Sequence, residues 1–321
     1  MTETEPSRRR TAVRAVAGVS RAVGGVLLVV WGAATAGFLA LKAIPGDPVD
    51  VMLGVQAQVS ESVKEQIRLD WGLREPVVVQ YFDYLARLAT GDFGQSYQLR
   101  EPVLEVLGAQ LAPTLALAGA AIGLALVIAL SGALLVQGRW GRRVASVLEL
   151  VVVSSPTFWI GLVLITVFSF RLGWFPVAST EGPQALVLPA VTLALPLAGI
   201  LSQVLRQGLD AATTQPFVLT ARSRGIGHTR LVLRHTLRHA SADGITLTAY
   251  LLGSVLGGVV LVETVFGRAG LGRVTLRAIT DRDLPVVLGI IVLSAATFAV
   301  INLLVDASYR LIDPRQRRAA R

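Results

Sequence analysis

The chain has 321 residues, of which 53% are hydrophobic and only 16% are charged, and its formal net charge is +9. Soluble domains carry about 25% charged residues, so this composition excludes a water-soluble globule of this length. The absence of cysteine excludes disulfides and thiolate metal sites. We therefore expect an all-α polytopic membrane protein whose helices have lipid as their solvent.

Six apolar segments are long enough for a transmembrane helix, which takes about 20 residues. They predict spans at residues 22–41, 111–136, 144–170, 185–205, 245–262 and 284–305. The first resembles a signal peptide with a small-residue site at Ala34, but its apolar stretch continues to Leu41, which favours an uncleaved anchor. The only charged residue inside the six is Glu149, which we expect to reach the interface or to pair with Arg142 or Arg143.

The basic residues predict the orientation. With the amino terminus inside, the inner segments hold 19 Lys and Arg and the outer segments hold 11. The positive-inside rule therefore places both termini in the cytoplasm, and it explains the net charge without a nucleic-acid partner. The chain divides into a basic tail (1–21), the first transmembrane helix (22–41), an extracytoplasmic insertion (42–110), a transmembrane core (111–305) with an inner loop (206–244), and a cytoplasmic tail (306–321).

The insertion is predicted to be folded. Ser62 and Glu65 have the spacing of a capping box, which predicts a short helix after Ser62. Pro76 predicts the start of a second helix, and Pro102 predicts one that runs into the second span.

Prolines interrupt the third span at Pro156 and the fourth at Pro189 and Pro196. Two interpretations stay open, a kinked helix lining a pathway or ordinary helix packing. In the fifth span, the spacing of Gly253 and Gly257 predicts a close helix contact.

The sequence has no energy-converting motif of its own. A phosphate-binding loop requires Gly-Lys-Ser/Thr, whereas the two lysines, Lys42 and Lys64, follow Leu41 and Val63. An ion-driven carrier would need charges inside the spans or inverted repeats, and a membrane enzyme would need a catalytic cluster. Since neither is visible, any solute movement must draw energy from another protein.

The inner loop 206–244 predicts two short basic helices joined at Gly225. Such a projection could dock into a soluble partner, or it could be a solvated loop that obeys the positive-inside rule. His235 and His239 share one helical face, but without a matching acidic or Cys ligand we expect no metal site there.

A series of short motifs extends over nearly the whole chain from about residue 40. In chain order they include Pro45-Gly46-Asp47-Pro48, Trp71-Gly72-Leu73, Gly91-Asp92-Phe93-Gly94 with Ser96, Pro113-Thr114-Leu115, Thr220-Ala221-Arg222 with Gly225, Glu263-Thr264-Val265-Phe266, Gly270-Leu271-Gly272-Arg273, Arg282-Asp283-Leu284-Pro285 and Asp313-Pro314-Arg315. In order and spacing they resemble the membrane subunits of binding-protein-dependent ABC importers of the dipeptide/oligopeptide permease family.

The resemblance implies a type I ABC importer transmembrane fold in the bacterial cytoplasmic membrane and a non-catalytic transport subunit without a cofactor. The implied partners are a homologous second permease subunit, two ABC ATPase subunits and an extracytoplasmic solute-binding protein. Short peptides are the implied substrate, although relatives also carry nickel chelates, glutathione or sugars.

The resemblance also assigns two groups of residues. The inner group forms a coupling helix that docks on the ATPase, and it comprises Thr220, Ala221, Arg222, Ser223, Arg224, Gly225 and Ile226. The outer group would lie near the external gate or the binding protein, and it comprises Glu263, Phe266, Gly270, Gly272, Arg282 and Asp283. The chain departs from the family pattern at His239, where Asn is usual, and at Asp243, where proline is usual.

Overall fold

The computed structural model describes residues 5–43, 45–47, 49–50, 59–136, 138–177, 182–227, 231, 236–237, 251, 253, 255 and 257–312, with side chains except at 5–19, 70, 222 and 305–312. Its helices are α1 (Glu5–Ala43), α2 (Glu61–Asp70), α3 (Val77–Ala89), α4 (Val103–Leu135), α5 (Gly138–Ser154), α6 (Thr157–Leu164), α7 (Gln184–Thr213), α8 (Pro216–Ser223), α9 (Leu271–Thr280) and α10 (Leu284–Ile312). A π-helical segment, Ile165–Arg171, continues α6, and residues 257–265 are also helical.

Four helical segments in the described part of the chain are long and apolar enough to cross a membrane: Ser20–Ala43, Val103–Leu135, Gln184–Thr213 and Leu284–Leu304. The bent pair formed by α5 and the α6 segment adds a fifth if its two halves belong to one span. These segments coincide with the predicted first, second, third, fourth and sixth spans. The predicted fifth span, 245–262, lies largely outside the described residues.

The third predicted span is interrupted at Pro156, one of the prolines for which a kink was an open interpretation. α5 ends at Ser154, α6 begins after Pro156, and the two halves are bent by 106°. Pro156 is extended, with φ −58° and ψ 133°, and its ring disfavours helical backbone at the residue before it. The Ser155 hydroxyl donates to the carbonyl of Val151 at 2.7 Å and so satisfies one of the last acceptors of α5.

The other two prolines behave differently. Pro189 and Pro196 lie inside α7, which is helical without interruption from Gln184 to Thr213. Proline in a predicted span therefore marks a break at one of the three positions and not at the other two.

Ion pairs join α5 to α7, and they correct the expected partner of Glu149. Glu149 pairs with Arg206 of α7 and not with Arg142 or Arg143, while Arg142 pairs with Asp210 at 3.1 Å. The two helices also approach closely at Gly199, where a Cβ would lie 3.4 Å from the Glu149 carbonyl oxygen. α5 and α7 are thus joined by two ion pairs and by a close approach at Gly199.

Residues 110–273 and 305–321 form one compact unit. Its core uses small side chains on α4, where Ala121, Ala125 and Ala129 repeat every fourth residue and are fully buried. Small residues at this spacing let membrane helices approach closely. The expected close contact at Gly257 lies one residue later, since a Cβ there meets nothing within 4 Å, whereas one on Gly258 would lie 3.2 Å from Leu193.

Residues 1–109 and 274–304 form the second compact unit, which contains the insertion. The short helix predicted there is confirmed as α2, but Ser62 does not cap it, because Ser60 is the N-cap and the Ser62 hydroxyl hydrogen-bonds the Ser60 hydroxyl at 2.9 Å. The other two starts are confirmed: Pro76 is the N-cap of α3, and α4 begins directly after Pro102 and runs into the second span.

Charged contacts hold α2 against the turn that follows the first span. Arg68 donates through Nε to Asp47 at 2.9 Å, and Lys64 pairs with Asp50 at 2.7 Å. Burial alone would raise the pKa of the Asp47 carboxyl, but the Val49 amide and Arg68 outweigh it and hold that pKa below its usual value.

Candidate functional site

The inner group of predicted residues forms the end of one short helix. Thr214 and Gln215 separate α7 from α8, and Pro216 occupies the first position of α8, where its missing N–H is not needed. The carboxyl end of α8 closes with Ile226 N–H donating to the Ala221 carbonyl at 3.2 Å. Gly225 lies between them with φ +75°, so this end is a Schellman motif with glycine at its left-handed position.

Most of this helix end is exposed. The side chain of Leu219 is 73% exposed, and Thr220, Ser223, Arg224 and Gly225 are exposed with it. Val218, on the same helix, is buried. The side chain of Arg222 and the departures at His239 and Asp243 lie outside the described residues.

Four residues of the outer group belong to one buried turn, centred on Glu263. The Thr114 hydroxyl of α4 donates to Oε1 of Glu263 at 2.7 Å, and the Gly272 amide donates to Oε2 at 2.7 Å. Thr114 accepts in turn from the Leu271 amide at 2.8 Å. A single carboxylate therefore joins α4, the end of helix 257–265 and the start of α9.

The glycines of this turn are explained by contact distances. A Cβ on Gly270 would lie 2.0 Å from Oε1 of Glu263, and one on Gly272 would lie 2.3 Å from the Cα of Val260. Phe266 is buried beside α6, where a Cβ on Gly161 would lie 3.2 Å from its ring. The turn is closed so tightly that its backbone leaves no room for side chains at Gly270 and Gly272.

The remaining two residues of the outer group, Arg282 and Asp283, belong to the other compact unit. Asp283 is buried and accepts from the Ser96 hydroxyl, from the Tyr97 amide at 3.1 Å and from the Gln98 amide at 3.3 Å. Burial and the neighbouring Asp283 carboxylate raise the pKa of Tyr97 to about 12. Arg282 is exposed, with φ +56°.

Two protein-family models match almost the entire chain. The model of the inner membrane component of binding-protein-dependent transport systems matches residues 121–318, and the model of the N-terminal part of such membrane components matches residues 17–118. The chain belongs to this family. It is a permease subunit of a binding-protein-dependent ABC importer of the peptide family.

Curated relatives agree with the family. The glutathione transport system permease protein GsiC of Escherichia coli strain K12 is 33% identical over 285 residues, which cover 87% of this chain and 92% of the relative. GsiC of Salmonella typhi is 34% identical over 292 residues, with the same coverage. A crystal structure of an amino acid ABC transporter with histidines aligns at 22% identity with a TM-score of 0.48, over 64% of this chain and 92% of that chain.

The permease has important residues that were not predicted as site residues. Thr114 and Ser96 both appear among the motifs of the resemblance, yet their roles became visible only as the hydroxyl donors to Glu263 and Asp283. The sequence showed only that each residue lies in a motif. It did not show that Thr114 pairs with Glu263 or that Ser96 pairs with Asp283, because the two residues of each pair are more than 140 residues apart.

The described residues of the permease contain no group of three or more His, Cys, Asp or Glu side chains that could hold a metal ion. All three histidines, His228, His235 and His239, lie outside the described residues, so the expectation about them stays a prediction.

Proposed function

We propose that this permease imports a short peptide, with glutathione and di- or oligopeptides as candidate substrates, and that separate ATPase subunits supply the energy. The curated relatives named as glutathione permeases support the substrate class. The exposed end of α8 supports the coupling role, and it is the observation on which the mechanism rests.

In this mechanism α8 docks into a groove of an ATPase subunit. Leu219 offers an apolar contact and Thr220, Ser223 and Arg224 offer polar ones, while the buried Val218 prevents α8 from turning independently. Only two residues separate α8 from α7, so a displacement of α8 is passed directly to the long α7 helix.

From α7 the displacement reaches α5. The Glu149–Arg206 and Arg142–Asp210 pairs connect these helices at two levels. The first pair is largely buried, and breaking it would leave an uncompensated charge, which makes the connection stiff. Closure of the ATPase on ATP binding would thereby move α7 and α5 together.

The proposed assembly contains a homologous second permease subunit, two ATPase subunits and an external solute-binding protein. Loop 206–244 and both termini face the cytoplasm in this arrangement. Import follows from two global states, inward-facing and outward-facing, with different affinities for ATP and for the loaded binding protein. The Glu263 turn would act as a rigid outer element near the gate, and the exposed Arg282 is available for contact with the binding protein.

Substitutions in α8 test the coupling role. Gly225→Val removes the left-handed turn and Arg222→Glu reverses the charge, so both should abolish uptake while the protein remains in the membrane. Gly225→Asn, which tolerates positive φ, and Arg139→Glu, an equal charge change on another inner segment, are the matched controls and should retain most uptake. Full transport by both α8 variants would refute the assignment.

Uptake measurements identify the substrate. Cells that carry the complete system with its own binding protein should accumulate labelled glutathione or a labelled dipeptide, and excess unlabelled substrate should compete. Uptake of neither compound, with nickel or a sugar transported instead, would contradict the peptide assignment and leave the coupling test unaffected.

A further inference from the structure

α3 belongs to the predicted extracytoplasmic insertion, and much of its surface is apolar and exposed. None of its residues is buried. Its exposed side chains include large apolar ones, among them Val78 at 65% and Phe82 at 63% exposure. Such a surface on a short helix in water would need a covering partner.

Contacts between α3 and the first span define the position of α3 along the axis of α1. The Tyr81 hydroxyl and the Thr35 hydroxyl are hydrogen-bonded at 2.8 Å. The ring of Phe38 lies 5.4 Å from that of Tyr81 and 5.8 Å from that of Tyr84. Lys42 donates to the Gln80 side chain at 2.5 Å. α3 is therefore packed along the last two turns of the apolar part of α1.

The contacts at Phe38 and Thr35 lie within the apolar part of the span, on the inner side of its polar end at Lys42. Lys42 ends the apolar stretch, and Phe38 and Thr35 precede it by four and seven residues. A helix rises about 1.5 Å per residue, so these side chains lie about 6 and 10 Å deeper than Lys42 along the helix axis. Helices that lie in the interface bury their apolar face about 5–10 Å into the boundary between headgroups and acyl chains.

The angular order of residues around α3 matches this depth. Gln80, Tyr81 and Tyr84 form the arc that faces α1. The next arc is an exposed apolar stripe with helical spacing, made of Val78, Phe82, Ala86 and Ala89. The third arc carries the exposed charges, Asp83 and Arg87. The helix thus has three different sides: one that contacts α1, one that is apolar and exposed, and one that is charged and exposed.

We propose that α3 is an interfacial helix of the outer leaflet, with Val78 and Phe82 against lipid acyl chains and with Asp83 and Arg87 toward the headgroups and water. Leu39, which follows Phe38 on α1, is also exposed, at 58%. The packing of α3 on the first span and the depth of the Thr35 contact favour lipid as the occupant over a soluble binding protein. The insertion is then fixed to the membrane at α3 and moves with the first span.

Spin labels on single cysteines test this assignment, because the chain has no cysteine of its own. Val78→Cys and Phe82→Cys probe the apolar stripe, and Asp83→Cys and Arg87→Cys are the matched controls on the same helix. Ala86→Cys repeats the apolar measurement with a smaller change of side chain. The labelled permease is assembled with cysteine-free partner subunits in lipid nanodiscs.

Collisions with oxygen, which concentrates in lipid, are compared with collisions with a water-soluble nickel chelate. The logarithm of their ratio should be positive at positions 78, 82 and 86 and negative at 83 and 87. Equal nickel accessibility at 82 and 83 would place the stripe in water and overturn the proposal. Protection of 78, 82 and 86 from both reagents would mean that protein covers the stripe, and it would overturn the proposal as well.

Discussion

Gly225 at the inner helix and Gly272 at the outer turn are both glycines of resemblance motifs, and they are required for opposite reasons. Gly225 has φ +75°, and a Cβ there would meet nothing within 4 Å. A Cβ on Gly272 would lie 2.3 Å from the backbone of Val260. The first glycine serves a conformation at an open surface, and the second serves a close contact in a closed interior.

The different environments of Gly225 and Gly272 distinguish an exposed motif, at the end of α8, from a buried motif, around Glu263. Glu263 is fully buried and accepts hydrogen bonds from Thr114 and Gly272, so we expect this turn to hold the permease together. The end of α8 leaves Leu219 and several of its neighbours exposed, as the proposed docking surface requires. Substitutions should therefore affect folding at the outer turn and transport at the inner helix.

The largest expected effect is that of Gly272→Ala. Its Cβ would collide with backbone atoms of Val260, which cannot turn away as a flexible side chain could. We expect destabilisation of about 3 kcal/mol or more and a strong loss of folded permease. Thermal unfolding of the purified protein in detergent measures this change.

Gly257→Ala is the matched control, since a Cβ there meets nothing within 4 Å and the residue is helical. This variant should be as stable as the wild type or more stable, because alanine favours helix by about 1 kcal/mol over glycine. Equal melting of the Gly272→Ala variant and the wild type would show that the turn is looser than its distances indicate.

A smaller effect is expected at Thr114, which relays hydrogen bonds between Glu263 and the Leu271 amide. Thr114→Val keeps the shape but removes the hydroxyl, which leaves a buried carboxylate oxygen and an amide without their partner. We expect a loss of about 2 kcal/mol in the free energy of unfolding. Thr114→Ser retains the hydroxyl and should lose less than half as much, and equal losses in the two variants would argue against the relay.

The sequence predicted the spans well because their signal is local: the length of an apolar run decides whether a helix can cross the bilayer. The sequence did not predict features that depend on how helices pack against one another. Arg142 and Arg143 lie seven and six residues before Glu149 on α5, whereas side chains on one helix meet at three or four residues, and Arg206 reaches Glu149 because α7 packs against α5. Proline alone did not predict the bend at Pro156 either, since α7 accommodates Pro189 and Pro196.

The candidate sites show the same limit. The position of Gly225 was predictable, because a glycine at a helix end has a local conformational reason. The enclosure of Glu263 was not, because Thr114 is 149 residues away in the chain. The motif that places Glu263 and Phe266 near the external gate by resemblance contains buried residues, and the motif alone does not show which atoms they contact.

The smallest expected effect on stability is at Gly225, where only the backbone angle opposes a side chain. Gly225→Ala should destabilise the end of α8 by about 1 kcal/mol, because an L-residue pays that much in the left-handed region, and Gly225→Asn should lose less. Hydrogen exchange of the amides at Arg224 and Ile226, which close the helix, measures the change locally. Global melting should stay unchanged, in contrast to Gly272→Ala. A drop in global melting as large as that of Gly272→Ala would show that α8 is part of the folded core, and its exposed surface would then no longer count as evidence for a docking role.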